Sequence, residues 1–163
     1  NIEEVRECIT AALPDHPDHR GMYGVATRRN SYMGYGGTQE YVDSVADTVL
    51  AFMIEKKGAV DNLEQILSEE RVEMVQWGGA DFSMNIGQPR DMSHPEVVAA
   101  KKKTFEVAIN MGVPPRAEIE SADETKEYLD MGVRHFSVGT DITILHGYWK
   151  REGEQVVRAL EGE

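Results

Sequence analysis

The sequence has 163 residues, 40% of them hydrophobic and 28% charged, with a formal net charge of −12. That length holds one core of ordinary size. No apolar run approaches the roughly 18 residues of a spanning helix, and the acid excess opposes a phosphate-backbone partner, so membrane insertion and nucleic-acid binding are excluded.

One cysteine, Cys8, rules out an internal disulfide, and no CxxC pair offers a thiolate zinc site. With no charged and apolar leader at Asn1, the chain reads as cytoplasmic.

In chain order, Asn1 with Glu4 predicts a helix start, and Val5, Ile9 and Leu13 follow at helical spacing until Pro14 stops them. From Pro14 to Gly37 an irregular stretch with five glycines and two prolines predicts a long loop of the kind that carries function. Its Arg28 and Arg29 are candidates for gripping a substrate carboxylate. Thr38 opens a helix with Tyr41, Val45 and Ala46 on one face, and "TVLAFMI" reads as a strand ending at Glu55.

A helix near Ala59 to Leu67 leads to the strand "EMVQW". Ser93 with Pro95 opens a long helix that closes at Gly112. The strand "RAEI" follows, then a capping box of Ser121 and Glu124 for a helix ended by Gly132. The strand "VRHFSVG" precedes a last helix carrying Leu145, Trp149 and Val156. Short apolar strands separated by helices predict an α/β fold with a parallel sheet and right-handed crossovers.

Ligands of such folds sit at the carboxyl ends of the strands. Those ends are acidic here: "IEKKG" with Glu55, "GGAD" with Asp81, "AEIES" with Glu118 and Glu120, and "GTD" with Asp141. Converging carboxylates repel unless a cation lies between them, and hard oxygen donors with open positions suit Mg²⁺ or Mn²⁺. Glu55 and Asp81 are the best pair because their strands are consecutive. Without Cβ atoms, Gly78 and Gly79 would let backbone N–H groups approach an anion, or would simply mark a tight bend.

An acid after a strand is ordinarily a cap or turn residue, which is how Asp141 reads. Glu118, one step inside its strand, reads as a barrel-interior group rather than a ligand. The five histidines form no spaced metal pair, and Lys101 to Lys103 read as a solvated helix face.

The stretches "MIEKKGAVDNLEQIL", "VQWGGADFSMNIGQP", "SHPEV" and "GVRHFSVGTD", in this order, resemble the HpcH/HpaI aldolase/citrate lyase family from Asn1 to about Leu160. The resemblance implies a (β/α)₈ TIM barrel of the phosphoenolpyruvate/pyruvate type, of which residues 1–163 would form the C-terminal half. It also implies a homo-oligomer that cleaves or forms 4-hydroxy-2-oxo acids through a pyruvate enolate. The expected cofactor is a divalent metal, Mg²⁺ first and Mn²⁺ or Co²⁺ next, with Glu55 and Asp81 as ligands.

On the same resemblance, Gly79, Ala80 and Asp81 would bind substrate, with the Ala80 and Asp81 amides on the pyruvate carboxylate. The family's catalytic arginine and histidine would lie before Asn1, which leaves no catalytic residue to assign in this chain. Two positions depart from the family pattern: Met53 stands where a substrate-contacting glutamine is usual, and Gly79 stands where proline is common. Rival readings are a citrate-lyase-like thioester lyase, which needs a cationic nucleotide surface, and a non-catalytic metal-binding fragment.

Overall fold

A computed structural model describes residues 1–25 and 36–162 of the chain. Helix α1 (Ile2–Ala12) starts on the predicted capping box, with the Asn1 side chain accepting from the Glu4 N–H. Helix α2 (Gln39–Ala46) is capped by Thr38. Then follow strand β1 (Ala51–Ile54), helices α3 (Lys57–Asp61) and α4 (Leu63–Leu67), strand β2 (Met74–Trp77) and helices α5 (Gly79–Asn85) and α6 (Pro95–Asn110). Strand β3 (Pro115–Ile119), helix α7 (Thr125–Asp130), strand β4 (His135–Val138) and helix α8 (Asp141–Glu161) complete the order.

The strands form one parallel sheet in the order β1-β2-β3-β4, each beside its successor in sequence. Residues alternate between its faces. Ile54, Val75, Ala117 and Ile119 are buried on the face covered by helices, and with Leu63, Ile66, Phe82 and Phe105 they form the core. The opposite face carries Met53, Gln76, Arg116, Glu118, His135 and Ser137, which the register sets side by side. Met53 is 46% exposed there.

Three local expectations change. The helix predicted near Ala59 to Leu67 is two short helices broken at Asn62, whose side-chain amide donates to the Gly58 carbonyl and competes with the backbone ladder. His94, not Ser93, caps α6, with its Nδ1 accepting the Glu96 N–H, while the Ser93 hydroxyl donates to Asp91. The bend at Gly78 and Gly79 leads directly into a helix, α5.

The apolar stripe of α8 lies open: Leu145, Trp149 and Val156 are 48%, 66% and 60% exposed, because a stripe is buried only where another element packs on it. No helix of the described residues is long and apolar enough to cross a membrane.

Candidate metal and substrate site

Glu55 is the first residue after β1, so its position is set by a strand whose Ile54 is anchored in the core. Its side chain is partly covered, and Lys56 Nζ lies 3.8 Å from its Oε1. The loop is tied down on the far side, where the Lys57 N–H donates to Asn85 Oδ1 at 2.9 Å. Lys56 and Lys57 therefore sit at the start of α3, engaged with neighbouring acids.

The end of β2 is held against the end of β1, because the Gly78 N–H donates to the Ile54 carbonyl at 3.0 Å. That contact makes Gly78 a packing requirement. A Cβ there would stand 2.7 Å from Glu55 Cβ, 2.9 Å from Met53 Cγ and 3.0 Å from Glu55 Oε2. Its φ of −100° is open to other residues, so space and not backbone conformation demands glycine. Gly79 is confined by Trp77 Nε1 at 2.8 Å and Met92 Sδ at 3.2 Å from its missing Cβ.

Asp81 lies in the first turn of α5, three residues beyond Gly78. Among the described residues its carboxylate takes no hydrogen bond or ion pair. The next residue, Phe82, is 1% exposed and packs tilted against Trp77 with ring centroids 4.9 Å apart, which anchors the turn. The first N–H groups of any helix lack an intrahelical acceptor, so those of Gly79, Ala80 and Asp81 are open to an outside one.

The other acids separate from this pair. Glu118 accepts a hydrogen bond from Gln76 Nε2, and Gln76 Oε1 accepts from Arg116 Nε at 2.6 Å and also from Arg116 Nη2. Gln76 is 2% exposed. This linked trio on the inner face was not singled out from the sequence, although Arg116 and Glu118 two residues apart in a strand must share a face.

Asp141 Oδ1 accepts the Ile142 N–H at the start of α8, a local turn contact. Glu120 sits near Gly139, its Oε2 3.9 Å from the glycine's missing Cβ. Among the described residues no group of three or more His, Cys, Asp or Glu side chains is arranged to hold a metal. Arg28 and Arg29 lie outside the described residues.

Residues 3–146 match the family model HpcH/HpaI aldolase/citrate lyase. The chain belongs to the HpcH/HpaI family. It is 30% identical over 146 residues to a 4-hydroxy-2-oxo-heptane-1,7-dioate aldolase of Escherichia coli, a match covering 89% of this chain and 55% of that protein. The chain thus spans about half the length of the curated relatives it matches.

Among solved structures, an HpcH/HpaI family protein of Burkholderia cenocepacia superposes with a TM-score of 0.78 at 22% identity, over 97% of this chain and 62% of the other. The HpcH/HpaI aldolase of Desulfitobacterium hafniense gives 0.75 at 22% identity, over 97% and 60%. At that identity the likeness shows the fold: four consecutive parallel strands with their helices, part of a TIM-type barrel.

Proposed function

We propose that this chain is the second half of a barrel that, complete, is a metal-dependent aldolase cleaving or forming 4-hydroxy-2-oxo acids. In the cleavage direction the C3–C4 bond breaks, the C4 hydroxyl loses its proton to give an aldehyde, and C3 gains a proton to give pyruvate or another small 2-oxo acid.

One observation carries the reading. Glu55 and Asp81 follow adjacent strands, at a junction so close that Gly78 has no room for a side chain beneath the Glu55 carboxylate. Two hard oxygen donors that, among the described residues, join no larger metal-holding cluster suit Mg²⁺, Mn²⁺ or Co²⁺ held with open positions. A divalent ion there supplies Lewis acidity toward the 2-oxo group.

The remaining roles belong to the chain itself. Gly78 lets the two strand ends meet, and Gly79 keeps the start of α5 clear of Trp77 and Met92. The Ala80 and Asp81 N–H groups, in the first turn of α5, would hold the substrate carboxylate. Met53 offers no amide to substrate at the position where the family pattern has glutamine. A homo-oligomer is part of the same reading.

The thioester alternative finds less support among the described residues, where its lysine run is engaged: Lys101 pairs with Glu127 at 2.9 Å, Lys102 with Glu106 at 3.5 Å, and Lys103 donates to the Val60 carbonyl.

The test is pyruvate release from a 4-hydroxy-2-oxo acid by the full-length protein, with chelator and then with added Mg²⁺, Mn²⁺ or Co²⁺. Metal-restored turnover is expected, lost in both Glu55→Ala and Asp81→Ala. Turnover that survives chelation or either substitution would end the proposal.

A further inference from the structure

Beside the start of α5, β2 and β3 are paired only as far as Gln76 and Arg116, and beyond that point a cavity of about 670 Å³ opens between α6 and α7. That is the size of a small-molecule site. It reaches Gly79 and Ala80 on one side, so it adjoins the amides assigned above to the substrate carboxylate.

Its wall is mainly apolar and aromatic: Trp77, Met92, Val98, Tyr128 and Met131. Met92 and Val98 are 45% and 51% exposed. None of these residues is needed to hold metal or a 2-oxo acid.

The polar residues in the wall decide what the cavity accepts. Two carboxylates, Glu124 and Glu127, and two ammonium groups, Lys101 and Lys102, line it, and Glu118 borders it from the sheet. Lys101 is held by Glu127 at 2.9 Å and lies 4.3 Å above the Tyr128 ring. Lys102 leans to Glu106. Glu124 accepts the Glu120 and Ser121 N–H groups, and Glu118 is bonded to Gln76. An anionic tail entering here would meet carboxylates and, among the lining residues, only lysines already paired with acids, at the cost of its own hydration. An apolar tail would cover Met92, Val98 and Trp77.

Resting on the aldolase reading, we infer that this cavity takes the substituent of the acceptor aldehyde and selects an uncharged, branched-alkyl or aryl tail over one ending in carboxylate. The relative named for 4-hydroxy-2-oxo-heptane-1,7-dioate implies the opposite choice, because cleavage of that compound yields 4-oxobutanoate. The two acceptors differ by an isosteric swap, carboxylate against isopropyl, so 4-methylpentanal is the matched neutral probe. A group of this size in an apolar pocket shifts specificity about tenfold or more.

The experiment measures kcat/KM of the full-length protein for condensation of pyruvate with 4-methylpentanal and with 4-oxobutanoate, in wild type and in Val98→Arg. A preference of at least tenfold for 4-methylpentanal is expected, and the added cation should narrow it by at least tenfold. Parity, or a preference for 4-oxobutanoate that Val98→Arg leaves unchanged, overturns the inference while the aldolase reading stands.

Absence of condensation with both aldehydes sinks the aldolase reading, and NMR of the methionine methyl groups then decides the cavity. Met92 and Met131 signals that shift saturably with 4-methylpentan-1-ol and not with 4-hydroxybutanoate support it. Signals unmoved by either compound overturn it.

Discussion

Gln76 and Arg116 are register partners across β2 and β3, and the Arg116 guanidinium donates Nε to Gln76 Oε1 at 2.6 Å while the other end of the same carboxamide donates to Glu118. One buried amide therefore separates a cation from an anion on a single face of the sheet.

Replacing Gln76 with Met keeps the volume and removes both connections. Hydrogen bonds to charged groups contribute roughly 1.5–3 kcal/mol each, less where water can substitute. Gln76→Met is expected to lower stability by about 2 kcal/mol, read as a fall in denaturation midpoint at unchanged m-value.

Gly78 makes a sharper prediction, because its missing Cβ lies 2.7 Å from Glu55 Cβ. Ala can adopt its φ of −100°, so Gly78→Ala acts by pushing Glu55, and with it Met53, aside. Calorimetric titration should show divalent-ion affinity reduced at least tenfold, with a stability loss of about 1–3 kcal/mol. Gly58→Ala is the control, since a Cβ there meets nothing within 4 Å.

Phe82 is 1% exposed and packs on Trp77 one residue after Asp81. Phe82→Ala is expected to cost about 3–5 kcal/mol. Phe82→Leu, which refills most of the space, should cost far less and keep ion binding, as thermal unfolding with and without metal would show.

Lys101 supplies a pH dependence. Burial pushes its ammonium pKa down, but hydrogen bonds to Glu127 and Tyr128 and their charges together raise it above the ordinary 10.5. A group raised on folding stabilises fully below its unfolded value and loses that contribution as pH rises through the folded one. In Glu127→Gln burial is less opposed and the pKa falls. The wild type should thus unfold at higher denaturant than Glu127→Gln near neutral pH, and the gap should narrow above pH 10.5.

The amino-acid sequence alone determined what short-range chemistry controls. The capping boxes Asn1 with Glu4 and Ser121 with Glu124 mark helix starts, because a side chain three residues away satisfies the N–H groups a first turn leaves open. Gly112 and Gly132 end helices at φ of 76° and 96°, a conformation that other residues rarely adopt. The alternation of strand and helix was legible for the same reason, and so were the acids at the strand ends.

Only the tertiary structure decided the rest, since it depends on which distant segments touch. Asn62 breaks a helix that periodicity alone would continue, α8 keeps its apolar stripe in the open, and Gln76 finds Arg116 and Glu118 across a strand pairing. The fit of Gly78 beneath Glu55 and the cavity between α6 and α7 are likewise products of strand register and splay, which no local pattern encodes.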